Sequence, residues 1–421
     1  MRLCKALLLL LVIGTGAGCS GGGGGGSDGS PPTPTCIAGV SISNTSNTSP
    51  TPASGGDNVV RVTVNGDLCS AGSYLNKPCV QVTICAPGST SNCQTISDIV
   101  LDTGSYGIRI FKQLLTVPLN PVGTGSGSLG ECVTYGDGSS TWGPVQTADI
   151  ILGNERASDI PIQVIDATTF FASRLSAVCP GADLSPYNDG ARSPGYNGIL
   201  GIGPLTYDYG PYYSCNNATG NCMRTTPPSN NMVQNPVPFL PLNYNNGVVI
   251  QLPAAGAGGS PSVEGALVLG IGTRDNNIPI SVTPYPVDNG GNITTLFNSV
   301  TYQQSFLDTG SNGLFFPATP SLPACQGQPQ GTTYWFCPSS PVCLSAVTEG
   351  ATGSPTSQDT FQIGNFLNLL TSNPSNRVFP TIGGNYPDAF DWGLPFFLGR
   401  SVYIGMSGAN TPLGAGPYFA Y

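Results

Sequence analysis

The sequence predicts an all-β protein of two similar lobes that face each other across a central cleft, with little helix. Three observations predict this fold: a composition that disfavours helices, runs of alternating strand-forming residues, and a four-residue acidic motif that occurs twice. With 421 residues, the chain is long enough to bury a sizeable core.

The composition disfavours long helices. The chain has 58 Gly and 39 Pro, and only 8% of its residues are charged. Gly and Pro interrupt helices but are used freely in turns. From Asn58 onward, Val60, Val62 and Val64 alternate with their neighbours as in a half-buried strand, and 79–85 is a second run of this kind. Short strands joined by turns are therefore expected.

Charged and titratable residues exclude several classes of function. The chain has no histidine, which excludes Ser–His and Cys–His catalysis and removes the commonest zinc ligand. The net charge is −9, and no basic stripe is present, so a nucleic-acid partner is not expected. We predict no metal and no cofactor. Acid–base chemistry then depends on carboxyl groups or on other groups with shifted pKa values.

The N-terminus predicts export. Arg2 and Lys5 precede an apolar run over 6–13, followed by small residues and Cys19, which indicates a signal peptide over 1–18. This segment resembles bacterial lipoprotein signals, in which the cysteine after the cleavage site receives lipid. Gly16 stands where that signal usually has Leu. Ordinary cleavage after Gly18, without lipid, is the alternative.

Residues 19–56 predict a disordered tether that starts at the lipidated Cys19. Residues 20–56 are mostly Gly, Ser, Pro, Thr and Asn, and they cannot bury enough apolar surface to fold. As a flexible coil, this segment would span on the order of 35 Å. We expect an outer-membrane lipoprotein of a bacterial cell envelope that faces the periplasm or the exterior. A periplasmic or secreted protein is the alternative.

Twelve cysteines remain once Cys4 in the leader and Cys19 are set aside. An even number without a CxxC pattern or a histidine partner indicates disulfides formed in an oxidising compartment. Cys85 and Cys93 bracket a short turn-rich segment, as do Cys215 and Cys222. The pairing itself cannot be deduced from the sequence.

A duplicated pattern indicates the two lobes. The sequence Asp-Thr-Gly-Ser occurs at 102–105 and again at 308–311, which is 206 residues later. Each copy is followed by a second short segment that ends in Gly. Ile-Leu-Gly at 199–201 follows the first copy, and Asp-Trp-Gly at 391–393 follows the second. Two motifs that recur in the same order predict two homologous units.

These motifs identify a family resemblance. From Asn58 to the C-terminus the sequence resembles pepsin-type aspartic peptidases, and it looks like an uncharacterised bacterial lipoprotein branch of that fold. The resemblance implies an N-terminal lobe over 57–255 and a C-terminal lobe over 256–421. Residues 133–139 are similar to the family's flap, a β-hairpin over the cleft. Residues 264–272 are similar to the strand that opens the second lobe.

The resemblance implies paired-carboxylate chemistry. Two carboxyl groups held close together share one proton, so one of them can act as base and the other as acid. Glycines at the third motif position allow close backbone approach. The threonines would lock the loops together, and the serines would donate to the carboxylates. The predicted site comprises the catalytic Asp102 and Asp308, the supporting Thr103, Gly104, Ser105, Thr309, Gly310 and Ser311, and the flap residues Tyr135, Gly136, Asp137 and Gly138.

The sequence departs from the family pattern at a few positions. Arg109 stands where the first lobe usually has a Trp that steadies the flap Tyr, and Phe315 holds the same place in the second lobe. Arg109 is expected either to bond Tyr135 or to point into solvent. Trp142 is a candidate replacement donor, with simple packing as the alternative. Asp391 and Trp392 replace two aliphatic residues of the family, which weakens the resemblance there.

Three functions are compatible with these patterns. The first is a membrane-tethered aspartic endopeptidase that acts as a monomer on peptide or protein substrates. The second is a binding or inhibitor lipoprotein with the same fold and no catalysis, because a fold does not by itself determine function. The third is a structural envelope lipoprotein. The two intact Asp-Thr-Gly-Ser motifs favour the enzyme.

Overall fold

The computed structural model describes residues 49–125, 127–167, 178–180, 182, 195–327 and 334–421. The described residues form 25 β-strands and a few short helices. The predicted all-β, two-lobed pepsin-like fold with little helix is therefore confirmed. The signal peptide, Cys19 and the tether as far as residue 48 lie outside the described residues.

The first half of the chain contributes twelve of these strands. They are β1 Val59–Val64, β2 Pro78–Cys85, β3 Cys93–Asp102, β4 Tyr106–Phe111, β5 Asn120–Pro121, β6 Ser128–Thr134, β7 Ser140–Leu152, β8 Glu155–Ile165, β9 Gly198–Ile202, β10 Tyr212–Cys215, β11 Cys222–Thr225 and β12 Gly247–Leu252. Single 3₁₀ turns occupy Lys112–Leu114, Ser229–Asn231 and Val237–Phe239.

The second half contributes the other thirteen strands and the α-helices described here. The strands are β13 Val263–Leu269, β14 Pro284–Pro286, β15 Ile293–Phe297, β16 Val300–Asp308, β17 Leu314–Phe316, β18 Val342–Glu349, β19 Thr356–Ile363, β20 Gly383–Asn385, β21 Asp391–Gly393, β22 Arg400–Gly405, β23 Asn410–Thr411, β24 Gly414–Ala415 and β25 Tyr418–Ala420. The helices are α1 Phe366–Ser372 and α2 Leu394–Phe397, with a 3₁₀ turn at Asp275–Asn277.

A central sheet joins the two halves. It is formed by six consecutive strands of a larger 16-stranded sheet, in the order β1, β13, β12, β22, β25, β14, and every neighbouring pair of the six is antiparallel. The register of β1 on β13 places Val62 opposite Gly265. Val60, Val62 and Val64 are buried while Arg61 is exposed, as the alternation in the sequence predicts, but Thr63 on the other face is buried too. Because strands from both halves alternate in this sheet, neither lobe completes it alone.

The same strand arrangement surrounds both copies of the motif. In the first lobe, β9 lies between β3 and β4, parallel to β3 and antiparallel to β4, and Asp102 is opposite Gly201. In the second lobe, β21 lies between β16 and β17 in the same way, and Asp308 is opposite Gly393. The Gly-ending segments therefore pass directly beside the two Asp-Thr-Gly-Ser loops.

Disulfides cross-link loops and neighbouring strands. The described pairs are Cys69–Cys79, Cys85–Cys93, Cys132–Cys179, Cys215–Cys222 and Cys325–Cys337, and Cys343 is also disulfide-bonded. This number of disulfides is typical of proteins exported to an oxidising compartment. Within the described ranges, no helix has the length and apolar character needed to cross a membrane.

Candidate active site

The two repeated aspartates meet between the lobes. Asp102 ends β3 and Asp308 ends β16, and their side chains are within hydrogen-bonding reach of each other. Both residues are almost fully buried, with 1% and 0% of their surfaces exposed. A Cβ atom on Gly104 would lie 2.6 Å from Asp308 Cγ, and one on Gly310 would lie 2.8 Å from Asp102 Oδ1. Only glycine lets each loop come so close to the opposite carboxyl group.

Reciprocal threonine bonds join the two loops. The Thr103 hydroxyl donates to the carbonyl of Leu307 (2.8 Å), and the Thr309 hydroxyl donates to the carbonyl of Leu101 (2.6 Å). Each hydroxyl also accepts a hydrogen bond from the backbone N–H of the other threonine, at 3.0 and 3.1 Å. These four bonds are buried, so the relative position of the two aspartates is fixed by the backbone.

Each carboxylate also accepts hydrogen bonds from its own loop. The amide of Gly104 donates to Asp102 Oδ1 (2.8 Å), and the amide of Gly310 donates to Asp308 Oδ1 (2.7 Å). The second oxygen of each aspartate accepts from the serine three residues later. Ser105 donates to Asp102 Oδ2, and Ser311 lies 2.8 Å from Asp308 Oδ2. Bonds of this type favour the ionised carboxylate.

Burial opposes ionisation of the second aspartate. It raises the pKa of Asp308 well above its usual value, and the nearby charges of Asp102 and then Asp391 raise it further, while the hydrogen bond from Ser311 acts in the opposite direction. Two carboxyl groups held this close together do not ionise together easily. The arrangement can therefore hold one shared proton between an acid and a base.

Comparison with known proteins assigns the chain to a family. The family model described as "Protein of unknown function (DUF3443)" matches residues 54–421. The chain belongs to the DUF3443 family. Among solved structures, the chain is similar to an aspartic proteinase from Irpex lacteus, at 18% sequence identity and a TM-score of 0.46, over 82% of this chain and 94% of that one. No curated protein matches the sequence significantly.

The predicted flap of this DUF3443 protein is a hairpin between β6 and β7. Tyr135 N–H donates to Ser139 O (2.9 Å), and Gly138 at the tip has a φ of 86°. Asp137 accepts from the amide and hydroxyl of Ser139, at 2.8 and 2.7 Å, as a turn residue does. Burial raises the pKa of Asp137 above its usual value. The hairpin tip is thus ordered by its own short-range bonds.

Tyr135 packs inward from the hairpin. Its side chain is 1% exposed, and it shares a hydrophobic cluster with Tyr74 and Tyr196. Its hydroxyl lies 3.3 Å from the hydroxyl of Thr141. Trp142 packs against the Cys132–Cys179 disulfide and Tyr213.

The loop between β1 and β2 contacts the second lobe, a feature that no sequence motif indicated. The Tyr74 hydroxyl donates to Gly310 O (2.7 Å). The Asn76 amide donates to Asn312 O (2.7 Å) and Phe379 O (2.9 Å), and its oxygen accepts from Phe379 N–H (2.7 Å). This loop therefore supports the second Asp-Thr-Gly-Ser loop from the first lobe.

Arg109 does not point into solvent, so that prediction is wrong. The residue is fully buried on β4. Its guanidinium makes an ion pair with Asp208 and donates to Tyr106 O at 2.8 Å. Glu131 Oε1 lies 3.7 Å from Arg109 Nη2, which is beyond hydrogen-bond distance. Arg109 thus links β4 to Asp208, which precedes β10. It also lies close to Glu131 on β6, the first strand of the flap hairpin.

Glu131 is the weakly paired acid of this cluster. Burial raises its pKa to about 8, although the charge of Arg109 opposes that shift and Asp208 adds to it. Between about pH 4.5 and 8, the folded protein keeps a proton that the unfolded chain has released. Raising the pH across this window therefore lowers the free energy of unfolding.

Glu131→Gln should remove this pH dependence. The amide has the same shape and cannot ionise, so we expect the variant to be more stable than the wild type at pH 8, by up to about 4 kcal/mol, and to differ little near pH 4.5. Urea unfolding at both pH values measures the difference. Glu264→Gln, at an exposed position on the central sheet, is the control. Parallel stability curves for the wild type and Glu131→Gln would contradict the prediction.

Proposed function

We propose that this chain is an aspartic endopeptidase that is tethered to a membrane through a lipid on Cys19 and hydrolyses extended peptides. The observation that carries the proposal is the pair formed by Asp102 and Asp308. The two carboxyl groups lie within hydrogen-bonding reach of each other, and burial favours retention of a proton on Asp308. Peptide hydrolysis without histidine or metal needs this combination of one base and one acid.

In the proposed mechanism, a substrate water molecule binds between the two carboxyl groups. The ionised aspartate takes a proton from the water, which attacks the peptide carbonyl carbon. The protonated aspartate donates to the carbonyl oxygen, and a tetrahedral intermediate forms. The intermediate collapses with cleavage of the C–N bond when the newly protonated carboxyl group gives its proton to the leaving nitrogen. The other carboxylate takes a proton from a hydroxyl group of the intermediate, which restores the shared proton of the pair. Ser105 and Ser311 hold the outer carboxylate oxygens, and Tyr135 closes over the substrate.

One observation favours the alternative, a catalytically silent binding or inhibitor protein. Asp102, Asp308 and Tyr135 each have no more than 1% of their surface exposed. A peptide therefore reaches the aspartates only if the groups that bury them move aside. If they stay in place, the cleft cannot support turnover.

Turnover of an unfolded protein distinguishes the two functions. Purified protein that lacks residues 1–19 is incubated with reduced, alkylated casein between pH 2 and pH 7, with and without a statine-type transition-state analogue. An endopeptidase should cleave the casein in the acidic range, and the analogue should suppress cleavage. If no pH supports cleavage, the catalytic proposal fails. Calorimetric binding of the analogue without cleavage would then favour the binding protein.

The membrane tether is tested separately, since Cys19 lies outside the described residues. Cys19→Ala should move the protein from the membrane fraction to the soluble periplasmic fraction, because the lipid would be its only anchor. Cys4→Ala, within the leader, is the control and should stay with the membrane. Mass spectrometry of the wild-type N-terminus measures the lipid directly. An unmodified Cys19 would contradict the anchor and leave the proposed catalysis unaffected.

A further inference from the structure

A third buried carboxyl group lies next to the aspartate pair. Asp391 begins β21, pairs in register with Phe306 on β16, and is fully buried. Its Oδ2 lies 2.6 Å from the hydroxyl oxygen of Ser311. The same hydroxyl oxygen lies 2.8 Å from Asp308 Oδ2. Ser311 therefore stands between the two acids.

Asp391 Oδ2, Ser311 Oγ and Asp308 Oδ2 form a row of three oxygens. The number of protons that they share decides which of these contacts are hydrogen bonds. The hydroxyl group of Ser311 has one hydrogen and can fully satisfy only one of the two contacts. Two oxygens at 2.6 or 2.8 Å are at hydrogen-bond distance and repel each other if no proton lies between them. The second contact thus requires a carboxyl proton on Asp391 or on Asp308. Charge repulsion among three buried carboxyl groups favours the same result.

The titratable groups that the structure places near Asp391 lie on β16 and in the segment before β21. Asp308 is on the neighbouring β16, with Asp102 beyond it, and Phe315 on β17 is apolar. The pKa of Tyr386 is raised mainly by burial. The charges of Asp391 and then Asp388 raise it further. The charge of Asp391 therefore acts on Asp308, the member of the aspartate pair that is closest to it.

We propose that Asp391 is a positioning residue of the active site and acts through Ser311. Its effect is that the aspartate pair keeps its shared proton up to a higher pH. This inference rests on the proposed peptidase function. At low pH, protonated Asp391 donates to Ser311, and Ser311 donates to Asp308. As the pH rises, ionised Asp391 attracts the Ser311 hydrogen away from Asp308. Asp308 then loses a bond that favours its ionised form and gains a negative neighbour. Both changes make it hold its proton.

Two variants test the proposal. Asp391→Asn and Asp391→Leu should fold and cleave casein, but the alkaline limb of kcat against pH should move to lower pH by on the order of one to two pH units. Leu resembles the aliphatic residue that pepsin-type peptidases have at this position. Asp388→Asn, at an exposed acid nearby, is the matched control and should leave the limb in place. An unmoved limb in both folded Asp391 variants would overturn the proposal.

A double-variant cycle tests the role of Ser311. If Asp391 acts through this hydroxyl group, Asp391→Asn should move the limb less than half as far in a Ser311→Ala background as in the wild type. An equal shift in both backgrounds would show a direct charge effect and overturn the positioning role.

A second measurement does not need catalysis. In protein labelled with ¹³C at aspartate carboxyl groups, NMR follows the titration of Asp308, which is assigned from the signal lost in Asp308→Asn. Asp391→Asn should lower the pH of that titration in the same way as it moves the limb. If the wild type cleaves nothing, the proposed peptidase function fails while this titration still tests the coupling. If the Asp308 signal titrates identically in both proteins, the coupling itself is refuted.

Discussion

Asp102→Asn and Asp308→Asn should each reduce casein turnover at least about 10³-fold without unfolding the protein. Asn has the shape of Asp and keeps most of its hydrogen bonds, including the one from the Gly104 or Gly310 amide. It cannot exchange a proton, so it cannot serve as base or acid. Since either loss stops the same reaction, the double variant should be no worse than the single variants. Initial rates at the pH optimum, with circular dichroism as the folding check, measure the effect.

The matched control for these variants is Asp275→Asn, at an exposed position in a surface 3₁₀ turn. It should keep the wild-type rate. In the wild type, kcat should fall as the pH rises through the second ionisation of the pair, because the acid partner is then lost. Substantial turnover in either catalytic Asn variant would refute the assignment of these two aspartates.

Arg109→Leu should destabilise the fold by about 3–5 kcal/mol. The substitution removes a buried guanidinium and leaves Asp208 with a buried negative charge and the amide of Gly210 as its remaining described donor. It also removes the donor to Tyr106 O. Glu131 is protonated and uncharged at pH 6, so removal of the Arg109 charge should affect it little. Most of the lost stability should therefore come from Asp208. Urea unfolding at pH 6 measures the change.

Two further variants make this prediction specific. Arg109→Leu combined with Asp208→Asn should recover part of the lost stability, because the uncompensated charge is gone. Arg61 also pairs with two acids, Asp67 and Glu264, but at an exposed site, so Arg61→Leu should cost no more than about 1 kcal/mol. Equal costs at the two arginines would show that burial does not determine the effect.

Much of the fold could be predicted from the sequence because its decisive signals are local and repeated. The Asp-Thr-Gly-Ser motifs mark the ends of β3 and β16, and the alternating valines mark β1. The two Gly-ending segments indicated the strands that lie beside the motifs. These features depend on neighbouring residues, whose pattern is visible in one sequence.

The remaining features depend on partners that are distant in the chain. Asp208 is 99 residues from Arg109, and nothing near either residue indicates their ion pair. The contact of Asn76 with Phe379 spans 303 residues. The sequence marks Asp391 only as a departure from the pattern of pepsin-type peptidases, because its approach to Ser311 follows from the position of β21. A single sequence identifies such residues as unusual without identifying what they contact.

The central sheet has a consequence for biosynthesis. β1 hydrogen-bonds to β13, about 200 residues later, and β22 pairs with β25, which ends one residue before the C-terminus. Such high contact order makes folding slow, because distant segments must meet before the pairing stabilises them. A chain that is still being synthesised therefore carries unpaired strand edges until β13 and β25 have emerged. Such edges are prone to aggregation, so the unfinished chain needs protection until these strands pair.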